Sequence, residues 1–414
     1  MSENYGIFDS LCDRMNSKVN LQKHILIIVE NLPVPFDRRV WMEASTLSQA
    51  GYKVSVISPR NKNFSAEYEV LNNIEIYRHS LFESSGTLLS YLIEYPMALV
   101  SEFILTCKIY RKQKIDLIQI CNPPDFIFLV VFWFKLFFKT RIIFDHHDLV
   151  PEMFESNYKK RGTFYFLARI AEFLTFKVSD AVITTNLSYR NTAITRGRKS
   201  PESVFIVRSS PDLNIFRPIP NQKKFSDKGN YKIGYLGVMG IHDGVELLMQ
   251  IIHELVVKRK QKNVYFTVIG SGPKFPEIIY LAEKLDIKRY IHFKGRVSDQ
   301  RVINLLGECD ICVDCSPINY FNNVSTMNKV LEYMALGKPV VQFNLKEGKR
   351  SAAMASLYAK SISDFADKIE FLLKHPRKRK AMGIYARMKM EEELGWHKQS
   401  LILLTAYKKA LSDS

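Results

Sequence analysis

The sequence has no apolar run of the ~20 residues a membrane-spanning helix needs; its longest, Phe126–Phe138, has thirteen residues and contains Lys135. It has no internal repeat, no low-complexity tract and no Asp-x-Asp pair of the kind that holds a metal on a diphosphate. Cysteine is sparse and scattered. Only Cys309, Cys312 and Cys315 lie close together, and no fourth thiol nearby closes an iron–sulfur set, so the alternating DICVDCSP reads as a buried strand. The opening MSENYGIFDSLCDRMNSKVN lacks a continuous apolar stretch, which predicts a reducing cytoplasm. Acid is also short: 42 Asp+Glu face 59 Lys+Arg, leaving a net charge of +17 and a pI near 9.4. With 47% apolar and 24% charged residues, wholesale disorder, collagen and a polytopic membrane protein are excluded. The excess of cations predicts an anionic partner: nucleic acid, an acidic bilayer or a phosphorylated small molecule.

What is present alternates. At 414 residues the chain exceeds one ordinary core. HILIIVE (24–30) is nearly continuous apolar, as a parallel strand buried on both faces should be. A helix follows from about Val40 to Gly51, then a strand at Lys53–Ser58. Further strands are predicted at Ile74–Arg78, Leu117–Cys121, Arg141–Asp145, Ala181–Thr185 and Val204–Arg208. After the breaker-rich stretch 212–229 come Lys232–Leu236, Tyr265–Ile269, Tyr290–Lys294, Ile311–Cys315 and Pro339–Phe343. The fold class is therefore α/β: two Rossmann-like, doubly wound halves, with ligands expected in a cleft between them at the strands' carboxyl ends. The expected divisions are an N-terminal extension (1–22), an acceptor domain (23–211), a linker (212–230), a nucleotide domain (231–393) and a C-terminal helix crossing back (394–414). Leu88–Thr106, broken by Glu94, Pro96 and Glu102, reads as an amphipathic helix. Phe126–Phe138 reads equally as a buried crossover helix or as an interfacial one.

Several strand ends carry candidate chemistry. Gly237 and Gly240 follow one predicted strand, Gly270 and Gly272 the next; small residues there let backbone N–H groups approach a phosphate, or simply make a tight turn. Ser325 or Thr326 is placed to cap the helix carrying Lys329 and Glu332, with the N–H groups of Thr326, Met327 and Asn328 facing an anion. Lys329 either neutralises that anion or pairs with Glu332 one turn on. Asp37, Arg38 and Arg39 sit in the first strand–helix loop, Asn122 and Asp125 in CNPPD, and His146, His147 and Asp148 at another strand end. Each has an ordinary turn or loop reading beside the functional one. Adjacent histidines on a strand point to opposite faces, which argues against a metal pair.

The run 323–341, NVSTMNKVLEYMALGKPVV, resembles the nucleotide-sugar site of the GT-B retaining glycosyltransferases, family 4. YLGVMGIHDGVELL, VIGSGP and FKGRVSD extend the resemblance through the second half; NLPVPFDRRVWMEASTLSQAGYKVSVISP, CNPPD and FDHHDLVPE carry it into the first. The subgroup is similar to bacterial surface-polysaccharide transferases of N-acetylfucosamine-type sugars. The resemblance implies that Glu332 accepts the ribose hydroxyls and His147 lies near the reacting sugar. It implies a nucleotide-sugar substrate, UDP-linked, with no other cofactor and no metal, and leaving-group stabilisation as the main catalytic effect. Gly237, Gly240, Asp243, Gly270, Gly272, Arg296, Ser325, Thr326, Asn328, Lys329 and Glu332 form the implied donor side. His147, Asp148, Lys329 and Arg296 are the implied catalytic set. Asp37, Arg38, Arg39, Asn122, Asp125 and His146 lie on the implied acceptor side, with Glu152 orienting their neighbourhood.

The sequence departs from the family in two places. The first of the family's paired glutamates is Val324 here, and the Arg and Lys after the first glycine turn are replaced by Val238 and Asp243. Diphosphate charge then falls to Lys329, Arg296, and Arg38 or Arg39. The expected partners are a lipid-linked or oligosaccharide acceptor and an acidic membrane surface, in O-antigen or capsule assembly at the inner face of the cell membrane. Nucleic acid becomes a minor option, because basic residues are spread and no recognition module appears. A sugar-nucleotide epimerase of the same fold and a catalytically silent subunit are the alternatives.

Overall fold

The computed structural model describes residues 22–80, 88–158, 161–219, 229–240 and 242–412. The expected N-terminal extension, save its last residue, and residues 220–228 of the expected linker lie outside these residues. The chain divides into two compact units: Met1–Asp145 with Val178–Asp180 and Lys409–Ser414, and His146–Lys177 with Ala181–Lys408.

The first unit runs β1 (His24–Val29), α1 (Arg38–Gln49), β2 (Lys53–Arg60), β3 (Tyr68–Leu71), β4 (Ile74–Ser80), α2 (Leu88–Lys112), β5 (Leu117–Cys121), α3 (Phe128–Phe138) and β6 (Arg141–His146). Its strands are ordered β3-β4-β2-β1-β5-β6. Every pairing is parallel except that of β3 with β4. β1 is central and buried at every position, which explains its unbroken apolar sequence. Asp37 caps α1, its Oδ1 accepting from Val40 N–H at 3.1 Å, and Gly51 at φ +90 ends it.

Two helices of this unit leave apolar surface uncovered. α3 buries Val130, Val131 and Phe134 and exposes Leu129, Phe132, Trp133, Leu136, Phe137 and Phe138. Lys135 turns inward, donating to Asp180 Oδ1 and the Val178 carbonyl, both at 2.7 Å, so the outer face carries no charge from it. α2 packs beside it through Phe103 and Tyr110 against Phe134, and exposes Met97, Val100, Phe103 and Ile104. Among the described residues no helix is long and apolar enough to cross a membrane.

The second unit contains β7 (Ala181–Thr184), α4 (Leu187–Thr195) and β8 (Val204–Ile206), then β9 (Tyr231–Leu236), α5 (Val245–His253), β10 (Val264–Ile269), β11 (Ile291–Gly295), β12 (Ile311–Asp314), α6 (Asn328–Ala335), β13 (Val340–Phe343), β14 (Ser356–Ala359) and most of α7 (Trp396–Ser412), whose residues from Lys409 on belong to the first unit. β9 to β14 form a parallel sheet ordered β11-β10-β9-β12-β13-β14. This is the doubly wound order with its switch point between β9 and β12, where such folds open a crevice. The cysteine run forms β12: Cys309 and Cys312 pack in one core cluster, Val313 and Cys315 in another, and all three thiols are free and buried. Burial pushes the Cys309 thiol up to about 12, so it behaves as a core side chain.

Candidate active site

The two glycine turns of the second unit are locked to each other. Gly237 N–H donates to the Ile269 carbonyl and Met239 N–H to that of Ser271, each at 3.1 Å. A Cβ on Gly270, at φ +124, would lie 1.9 Å from the Gly237 carbonyl oxygen. One on Gly272 would lie 2.7 Å from the Met239 backbone. These two glycines are required by loop-on-loop packing, whatever they also offer a phosphate.

Lys329, in the first turn of α6, fills the switch point. Its ammonium lies 2.9 Å from Asp243 Oδ1, 3.8 Å from Asp314 Oδ1 and 5.0 Å from the centre of the Tyr235 ring. It would sit 2.8 Å from a Cβ on Gly237, so it lies directly against that turn. Burial works against its charge, but Tyr235, Asp314 and Asp243 outweigh it and hold the pKa above the ordinary lysine value. The cation missing from the turn's own sequence is thus delivered from another helix. Tyr333 fixes that helix: its hydroxyl accepts from Leu236 N–H at 2.7 Å, at the end of β9. Pairing with Asp243 and Asp314 replaces the local contact with Glu332 that spacing suggested. Glu332 is half-buried on the same helix, and Arg296 is exposed just beyond β11.

The N-terminus of α6 has no side-chain cap. Met327 occupies the capping position, while Ser325 Oγ instead bonds the Tyr189 hydroxyl at 3.0 Å and the Phe321 carbonyl at 2.8 Å. Thr326 Oγ1 is buried without a hydrogen-bond partner. First-turn N–H groups, which have no intrahelical acceptor, therefore stand with this hydroxyl beside Asn328 and Lys329. Val324 is packed with Leu149 and Tyr189 in an apolar cluster, which accounts for the absence of a glutamate there. Around that seam Asn186 Nδ2 donates to the Val324 carbonyl at 3.0 Å. Glu347 Oε1 accepts from Ser188 N–H at 3.1 Å, Ser188 Oγ at 2.6 Å and Arg350 at 2.5 Å.

His147 and Asp148 follow β6 and are half-buried. Burial raises the Asp148 carboxyl, opposed by His147, His146 and His242. His242, beside Asp243, is lowered by burial, while Asp243 and Asp148 pull it up. His242 was not among the candidates read from the sequence. His146 is a correction: it is fully buried, 3.6 Å from Glu172 and edge-on to Phe176, so it supports the core instead of facing an acceptor. Glu152 joins that support through Arg196, which also binds Glu172.

In the first unit, Arg39 is corrected in the same way. Its guanidinium is buried and forked onto Asp145, with Nη2 to Oδ1 at 2.6 Å and Nε to Oδ2 at 3.0 Å, and it contacts Glu43 at 3.2 Å. Arg38 is the exposed member of the pair. Asp37 is the helix cap described above. Asn122 and Asp125 are buried and bonded to each other at 2.8 Å, so their turn chemistry is realised.

Residues 230–375 match the family model described as glycosyl transferases, group 1. A phosphatidylinositol N-acetylglucosaminyltransferase GPI3 subunit of Saccharomyces cerevisiae is 24% identical over 160 residues, 37% of this chain and 35% of its own length. The chain thus spans about a third of that curated relative. Among solved structures, sucrose-phosphate synthase of Thermosynechococcus elongatus superposes with a TM-score of 0.75 at 14% identity, over 95% of this chain and 100% of its own. The Anabaena HepE protein, solved with UDP and glucose, does so at 0.70 and 14%, over 93% and 99%. The chain has the GT-B fold. Within this GT-B chain, the matched stretch contains every residue expected on the donor side, from Gly237, Gly240 and Asp243 through Gly270, Gly272 and Arg296 to Ser325, Thr326, Asn328, Lys329 and Glu332. His147, Asp148 and the first-unit candidates lie outside it.

Proposed function

We propose that the chain is a retaining glycosyltransferase that moves a sugar, of hexosyl or N-acetylhexosaminyl type, from a UDP-sugar to a lipid-linked saccharide acceptor. The observation that carries this reading is Lys329: a buried ammonium against the Gly237 turn, in the first turn of α6, at the sheet's switch point. A helix N-terminus with an adjacent fixed cation is the arrangement that stabilises a departing diphosphate. Thr326, Asn328 and Lys329 bind the diphosphate, and Glu332 accepts the ribose hydroxyls. His147 and Asp148 orient the transferring sugar, and Arg296 adds charge at the neighbouring strand end. The bond from the anomeric carbon to the diphosphate oxygen breaks with an oxocarbenium-like state. The acceptor hydroxyl attacks the same face, and its proton passes to the departing diphosphate oxygen. No metal is required on the diphosphate in this scheme. Similarity to a protein solved with UDP and glucose, and to one named for N-acetylglucosamine transfer, supports the donor class.

The acceptor reading rests on the apolar faces of α2 and α3 and on the net charge of +17. Together they suit peripheral attachment to the anionic cytoplasmic face of a membrane, in surface-polysaccharide assembly. Incubation with a panel of UDP-sugars and a membrane lipid extract tests the proposal. UDP release dependent on the lipid fraction is expected. No turnover with any nucleotide sugar refutes it, and conversion of the donor without acceptor points instead to an epimerase.

A further inference from the structure

The first unit holds a second cluster that the donor chemistry does not use. Glu30 follows β1, His79 lies near the end of β4, and Glu102 lies on α2. They are 6%, 6% and 1% exposed. His79 Nδ1 lies 3.3 Å from the Ser80 carbonyl. A carbonyl can only accept, so this nitrogen carries the ring proton, and in a neutral ring Nε2 is left with its lone pair. Nε2 faces Glu30 Oε2 at 3.2 Å. His79 Nε2, Glu30 Oε2 and Glu102 Oε1 are all buried without a hydrogen-bond partner. Ligand atoms of the three residues lie within 4.8 Å of one another. Acceptor atoms that converge where they are buried are costly unless something positive sits between them.

We propose that Glu30, His79 and Glu102 bind one divalent transition-metal ion, of the Zn²⁺, Mn²⁺ or Fe²⁺ class. Ligand bonds of about 2.0–2.1 Å in a tetrahedral set separate neighbouring ligand atoms by about 3.3 Å. The His79–Glu30 separation of 3.2 Å already meets that, and a Glu102 oxygen lies within 4.8 Å of both. Two carboxylates neutralise a divalent charge, and the imidazole selects against Mg²⁺ and Ca²⁺. The Nδ1–H bond to a backbone carbonyl is the outer contact that orients a metal-bound histidine. Three protein ligands leave a fourth position for water. The ion would tie β1, β4 and α2 together at the root of the loop that leads to Asp37. The competing arrangement is a proton shared between Glu30 and Glu102.

The test uses the full chain, purified without metal-affinity resin and stripped with chelator, then titrated separately with Zn²⁺ and Mn²⁺. Calorimetry and elemental analysis read the stoichiometry, and thermal melting reads the stabilisation. One equivalent of Zn²⁺ or Mn²⁺ is expected to bind and raise the Tm. Affinity should fall at least about 10-fold in Glu102→Gln and further in Glu30→Gln/Glu102→Gln, judged against the effects of outer-shell losses alone. The metal-free Tm of Glu102→Gln should hold or rise, which shows that the variant is folded. If neither metal binds wild type more tightly than the double variant, the shared-proton core is correct and the proposal is wrong.

Discussion

Lys329→Met separates the structural role of this lysine from its proposed role toward a diphosphate. The substitution removes the ammonium from Asp243, 2.9 Å away, from Asp314, 3.8 Å away, and from the Gly237 turn. At 2.9 Å the gross attraction to Asp243 is about 6 kcal/mol for an effective dielectric constant of ~20. Desolvation of the buried groups offsets most of that. The loss on truncation is about 3–5 kcal/mol, because Asp314 stays buried and loses its cation. Urea unfolding measures it. Adding Asp243→Asn removes one stranded carboxylate and should return part of the stability. It does not restore the diphosphate's partner. A charge-assisted hydrogen bond of about 1.5–3 kcal/mol corresponds to roughly 10- to 150-fold in Kd. Lys329→Met/Asp243→Asn is therefore expected to be folded and to bind UDP that much more weakly by calorimetry. Wild-type affinity in the double variant would refute the role given to Lys329, and unchanged stability in the single variant would refute the buried ion network.

Three further outcomes follow from the same geometry. Burial raises the Asp148 carboxyl, so the native state holds its proton more tightly than the unfolded chain, and stability falls as pH rises from about 4 through the raised value. Asp148→Asn should then be more stable than wild type at pH 7 and equal to it below about pH 4 by chemical denaturation, and equal stability at both pH values would contradict this. Val324→Glu restores the family's carboxylate but sets it against Leu149 and Tyr189, and should cost about 3–5 kcal/mol in urea unfolding. Trp133→Ser/Phe137→Ser should weaken sedimentation with anionic vesicles, each side chain giving up about 1.5–3 kcal/mol of burial, while UDP affinity stays at the wild-type value.

Much of the sheet architecture was legible because parallel strands buried on both faces write themselves as apolar runs. HILIIV, LIQIC and ICVD are of this kind, and all three are strands at or within one residue of the predicted bounds. Two strands left no such mark. β3, YEVL, is a short outer strand with alternating exposure, and β14, SLYA, has four residues and no β-branched side chain. The proposed donor site shows in the sequence as a motif, while its electrostatics do not. Nothing local ties Lys329 to Asp243, Asp314 and Tyr235, which are 86, 15 and 94 positions away in the chain and meet only because the switch point gathers strand ends. Arg39 and His146 misled for the opposite reason: strand-end charges face solvent or ligand by default, and here buried Asp145 and Glu172 draw them inward.

Calorimetric titration of UDP into the full chain bears most directly on the donor site. One UDP per chain is predicted, bound more weakly by Glu332→Ala and by Lys329→Met/Asp243→Asn. A folded wild-type chain that binds neither UDP nor a UDP-sugar, or undiminished binding in both variants, would contradict it.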